Sequence, residues 1–186
     1  MTPESLETRA ATGDPEAFGR LMQTTKDDLY RFVRRYVGDA EEAYDLIQDA
    51  YAAAWLAIRR YDPSRPFAAW LRTIAINKCR DWSRRRQVRR WLVNATPLDG
   101  LEAMRVEGKD PAPDDQVAAQ ALLRALDRAV VDLPTKLKEP LLLTTMEDLS
   151  QAEVAAILGV SVKTVETRVA RARRSLANTL APLREA

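Results

Sequence analysis

The sequence predicts an all-α protein of two small helical domains joined by a flexible linker. Apolar residues recur at helical spacing in almost every segment, and glycine is scarce, at 6 in 186 residues. One central stretch breaks the pattern with prolines, glycines and acids. The length suits one domain or two small ones, and a 46% hydrophobic content is globular rather than disordered.

Composition also excludes several functions. The chain holds no histidine, which removes Ser-His-Asp and Cys-His catalysis and histidine-ligated zinc. Cys79 is the one cysteine, so no internal disulfide and no thiolate metal cage is expected. No apolar run approaches the roughly 18 residues of a membrane helix. The first twenty residues carry Glu4, Glu7, Asp14 and Glu16 in place of an apolar signal core. A cytoplasmic setting fits and no cofactor or metal is expected; an enzyme here would have to work with carboxylates, lysine, tyrosine or the one thiol. The net charge of +2 hides segregation of 29 basic and 27 acidic residues.

The first helix begins at Asp14-Pro15, an N-cap with proline at the first helical position. Phe18, Leu21, Met22, Leu29, Phe32, Val33 and Tyr36 line one face. Gly38-Asp39 stops it and caps the next, which runs from Asp39 to Arg60. There Ala43, Leu46, Ile47, Ala50, Tyr51, Ala54 and Ile58 form a buried stripe, with Asp45, Gln48, Asp49 and Ala52 opposite. Two prolines in Tyr61-Asp62-Pro63-Ser64-Arg65-Pro66 make a loop. A helix from Phe67 to about Arg90 follows, with Trp70 in its core stripe. From Arg80 to Arg90, six of eleven residues are arginine.

Residues 93–116 read as the linker, between domains spanning 1–92 and 117–186. From Asp99 to Asp115 it has six acids against Arg105 and Lys109, too little apolar surface to offset ordering. Beside a basic domain, it is expected to cover basic surface. Helices over Val117–Val131 and Leu137–Met146 follow, the second tolerating Pro140 only in its first turn.

Ser150 and Glu153 form a capping box, Gly159 permits a sharp turn, and Ser161 caps a second helix. This is a helix-turn-helix pattern. Val162, Val165, Val169, Ala172 and Leu176 are expected inside; Lys163, Thr167, Ala170, Arg171 and Arg174 outside. Five basic residues against Glu166 give the charge a major-groove helix needs. In the first domain, the arginines beside Phe67, Trp70 and Trp82 suit single-stranded nucleic acid, where cations hold phosphates and rings stack on bases, although for each ring taken alone core packing is the stronger expectation. Asn77 offers an amide for a base edge.

Two motif sets together resemble the extracytoplasmic-function (ECF) sigma factors of the sigma-70 family. Asp45-Leu46-Ile47-Gln48-Asp49-Ala50-Tyr51, Ala54-Trp55, the segment Tyr61 to Leu71 and Ile74-Ala75-Ile76-Asn77 resemble region 2. Leu149 to Ala155 and Ser161 to Arg173 resemble region 4. The resemblance implies that Asp45, Gln48 and Asp49 dock on the β′ clamp of core RNA polymerase, with the β flap as a second contact. It implies that the segment Tyr61 to Phe67 (Tyr61, Asp62, Ser64, Arg65, Phe67) holds an extruded minus-ten base. Asn77, Lys78 and Arg80 would line the strand path, joined by Arg84, Arg85 and Arg86. It assigns the minus-thirty-five element to Lys163, Thr164, Glu166, Thr167, Arg168, Ala170, Arg171, Arg173 and Arg174. An anti-sigma partner is implied as well.

Other readings account for less. A stand-alone regulator would need a sensor domain before residue 117, and no alternating βα pattern is present there. A nuclease using Asp45 and Asp49 for Mg²⁺ would draw its ligands from one helix, whereas phosphoryl-transfer sites draw them from several segments.

Overall fold

The computed structural model describes residues 4–95, 114–146 and 149–183, and among them every regular element is helical. The domain boundary drawn at 93–116 falls largely outside the described residues, as does the expectation that the linker covers basic surface.

The first domain has four helices: α1 (Leu6–Ala11), α2 (Pro15–Val37), α3 (Ala40–Ala57) and α4 (Phe67–Ala95). Asp14 caps α2 by accepting from the backbone N–H groups of Glu16 and Ala17. Gly38 ends α2 in the left-handed conformation, φ +83°, which a side chain would strain. Asp39 caps α3 through the N–H of Glu42. All seven stripe residues of α3, Ala43 to Ile58, are buried, while Asp45, Gln48, Asp49 and Ala52 are exposed. The last turn tightens to 3₁₀ over Ile58–Arg60, so the α-helix stops three residues before the predicted Arg60. The short α1 went unpredicted; Ser5, which caps it by accepting from the Thr8 N–H, was its local signal.

The second domain has α5 (Asp114–Asp132), α6 (Thr135–Met146), α7 (Gln151–Leu158) and α8 (Val162–Leu180). Pro140 lies in the second turn of α6, not the first. Leu141, Leu142 and Leu143 are buried just beyond it. Their burial holds the helix through the lost N–H bond.

The two domains pack together. α2 meets α5 and α6, and α4 meets α6 and α7. The fit is close: a Cβ on Gly38 would lie 2.5 Å from Val131 Cγ2.

Candidate polymerase and promoter interface

The outer ridge of α3 stands free of the core. Asp45, Gln48 and Asp49 are exposed, and the ridge continues through Ala52 to Leu56, which is 87% exposed. Beside it runs a groove of about 800 Å³. Asp45, Gln48 and Asp49 form one wall; Arg84, Arg85 and Arg89 of α4 form the other. Leu46 and Val88 supply apolar surface between the charges. Sequence spacing alone kept the acidic ridge apart from the arginines, whereas the fold makes them two sides of one site. Arg84 also pairs with Asp81.

Trp82 is buried, with its indole N–H donated to the Glu42 carboxylate at 2.8 Å. It is therefore a packing residue and not an open stacking surface. Arg86 instead lies over its ring, 5.3 Å from the centroid.

The loop between α3 and α4 is built on an aromatic floor. Tyr61, Phe67 and Trp70 pack mutually with centroids 5.0–5.7 Å apart, and Phe18 joins Phe67 at 5.8 Å. Tyr61 and Phe67 are buried, while Trp70 is half-buried. The Tyr61 hydroxyl donates to the Arg65 carbonyl at 2.5 Å, and burial pushes its pKa up to about 12. Asp62 accepts from the Ser64 N–H and hydroxyl at 3.0 and 2.7 Å, which holds its carboxyl below the usual range. Asp62, Ser64 and Arg65 are thus the exposed, polar part of a rigid loop. Asn77 is exposed and Lys78 half-buried on the helix that follows.

The helix-turn-helix forms as predicted. Ser150 and Glu153 complete the capping box, with the Ser150 N–H donating to Glu153 Oε2 at 2.8 Å. Gly159 turns the chain at φ +66°, and Ser161 caps α8 by accepting from the Thr164 N–H at 3.2 Å. Val165, Val169 and Ala172 are buried, and Leu176 is partly so. Val162 is not inside as expected: it is the first residue of α8 and is 41% exposed. Lys163, Thr167, Ala170, Arg171, Arg173 and Arg174 are exposed; Thr164, Glu166 and Arg168 are half-buried. Lys163 pairs with Glu166 at 3.3 Å, which neutralises that acid on a basic face.

Comparison with known proteins accounts for this arrangement. Residues 21–89 match the sigma-70 region 2 family model, and residues 123–176 match sigma-70 region 4. The RNA polymerase sigma factor CnrH of Cupriavidus metallidurans is 40% identical over 95% of each chain. The ECF RNA polymerase sigma factor SigW of Bacillus subtilis is 30% identical over 92% of each. A solved structure of CnrH in complex with the cytosolic domain of CnrY superposes with a TM-score of 0.69, at 33% identity, over 95% of this chain and 96% of that one.

The chain belongs to the ECF group of sigma-70 factors. The groove and loop of this sigma factor lie in region 2 and its helix-turn-helix in region 4, so the candidate sites fall in both matched regions. The protein also presents one feature that sequence reasoning missed. In region 4, Lys138 and Glu139 are buried against region 2. Glu139 accepts from Arg80 Nε and Nη2, both at 2.7 Å. Arg80, expected on the strand path, is thus occupied by a carboxylate of the other domain. The available signal was two charges inside the apolar run Leu137 to Leu143, one of them beside a proline.

Proposed function

We propose that this sigma factor binds core RNA polymerase through the α3–α4 groove and directs it to promoters read at two elements. The observation that carries this is the groove itself, an exposed acidic ridge facing an arginine wall across apolar residues. Such a surface suits a coiled-coil segment with an apolar seam and charged flanks.

In this reading Asp45, Gln48 and Asp49 hold the β′ clamp, and the arginine wall both supports that contact and guides DNA. The loop residues Asp62, Ser64 and Arg65 meet the extruded minus-ten base, shaped by the buried Tyr61 and Phe67 beneath. Asn77, Lys78 and Arg80 follow the strand. Unstacking a base costs a few kcal/mol, so a loop braced in advance by Asp62 and Tyr61 lowers the cost of holding it. On α8, Arg171 reaches a base edge, Ala170 suits a thymine methyl, and Lys163, Arg168, Arg173 and Arg174 lie along phosphates. Thr167 contributes a hydroxyl, while Thr164 and Glu166 orient the first turn.

An anti-sigma protein in the cytoplasm controls the chain in this account. Support comes from CnrH, whose solved structure holds the cytosolic domain of CnrY. No helix among the described residues is long and apolar enough to cross a membrane.

The test is a mobility-shift assay on promoter fragments with and without purified core polymerase. A shift that needs both proteins supports the reading. A sequence-specific shift by the chain alone, unaltered by core enzyme, favours a stand-alone regulator.

A further inference from the structure

The contact between the two regions includes charges that packing alone would not select. Lys138 and Glu139 are each only 3% exposed. Lys138 Nζ donates to the Val131 carbonyl at 2.6 Å and to the Tyr36 carbonyl at 3.3 Å, and lies 4.7 Å above the Tyr36 ring. Burial lowers its pKa to about 8. Glu139 grips the Arg80 guanidinium with both oxygens, and Arg80 Nη1 donates to Asn77 Oδ1 at 3.3 Å. At the edge, Arg35 pairs with Asp127 at 3.0 Å.

Burying ions is costly, and well-packed apolar residues would hold two domains at least as well. Charged groups have a different merit in a surface that opens: once exposed they are readily solvated, whereas an apolar patch would invite aggregation. The geometry of the Arg80 pair adds a second point. A carboxylate offers a guanidinium two oxygens in one plane, as a phosphate does. One guanidinium edge cannot serve both.

We propose that Glu139 is an internal stand-in for a DNA phosphate: by holding Arg80 it latches region 4 onto region 2, and the free sigma factor must release this latch before the promoter strand can take its place. The proposal rests on the assignment of Arg80 to the strand path. Asn77, one turn before Arg80 on the same helix, stays exposed, so the latch withholds Arg80 alone. Release exposes Lys138 and Glu139 to water and leaves Arg80 able to accept a phosphate.

The test uses the full-length chain without polymerase. Small-angle X-ray scattering reports the separation of the regions. Fluorescence anisotropy reports binding of a short fluorescein-labelled single-stranded DNA, and circular dichroism reports folding. Glu139→Gln should keep the helical spectrum, enlarge the radius of gyration and tighten strand binding by about tenfold, the gain expected when a competent state rises from about a tenth to most of the population. Adding Arg80→Ala to Glu139→Gln should abolish that gain. The exchange Arg80→Glu with Glu139→Arg should restore the compact chain yet bind the strand weakly, which keeps the test valid if a single variant misfolds. A chain that stays compact as Glu139→Gln overturns the latch. If it opens with no gain in strand binding, while Arg80→Ala still weakens the opened chain, the strand assignment stands and the proposal falls. If Arg80→Ala has no effect in the opened chain, the assignment of Arg80 is wrong and the proposal falls with it.

Discussion

Trp82 and Glu42 join the two walls of the groove: the indole N–H of α4 meets a carboxylate in the first turn of α3 at 2.8 Å. This bond ties α4 to α3 beside the groove. Trp82→Phe keeps an aromatic ring and removes the donor. A hydrogen bond to a charged group contributes about 1.5–3 kcal/mol, so urea denaturation should show a loss in that range. Core polymerase should bind the variant more weakly, even where it remains fully folded.

The ridge makes a sharper prediction. Asp49 is exposed, so Asp49→Arg should leave the unfolding free energy within about 0.5 kcal/mol of the parent in urea denaturation. The same change should block assembly with core polymerase in size-exclusion chromatography. Assembly at the parent's affinity would remove the ridge from the docking surface.

On α8, the proposed roles of Arg171 in base reading and Lys163 in phosphate binding predict different losses. Arg171→Ala should cost roughly 1–3 kcal/mol and relax preference at one upstream base pair. Lys163→Ala should weaken all sequences alike and lower the salt slope by about one. Binding titrations on a set of single-base promoter variants distinguish the two. Equal losses on every sequence for Arg171→Ala would make it a phosphate contact.

Two buried groups predict the alkaline behaviour. Burial raises the Cys79 thiol to about 12, from the ordinary 9.0. Below pH 9 the thiol is protonated in both states and its contribution is complete; above it the unfolded chain ionises first, and stability falls toward pH 12. Lys138 has the opposite sign. Burial lowers it from 10.5 to about 8, with Arg86 adding to the effect and Asp132 and Glu139 opposing it. Between pH 8 and 10.5 the unfolded chain binds the extra proton, so this group alone makes stability rise with pH. Urea midpoints should therefore increase from pH 8 to 9, change little between about 9 and 10, where the two groups offset each other, and decline at higher pH. Lys138→Met should remove the increase. Iodoacetamide at pH 8.5 should leave Cys79 unmodified until the chain is unfolded.

Most of the fold was legible because its local signals agree. Asp14, Asp39, Ser150 and Ser161 cap four helices at the positions predicted, and the α3 stripe is buried residue for residue. Periodicity also separated the Asp45, Gln48 and Asp49 ridge from the core. It could not show that Arg84, Arg85 and Arg89 face that ridge, because contacts between helices depend on packing angles. Trp82 illustrates the same limit: its residue type permits stacking on a base, but only the fold reveals that Glu42 takes its N–H. Pro140 was misplaced because three buried leucines outweigh one missing N–H. Lys138 and Glu139 were overlooked because charged residues are expected at the surface.

The most direct test of the account is run-off transcription with purified core polymerase on a library of genomic fragments, followed by mapping of RNA 5′ ends. A sigma factor should produce discrete start sites that share two upstream elements and vanish with Asp49→Arg. Start sites that are unchanged when the chain is omitted, or indifferent to that substitution, would contradict it.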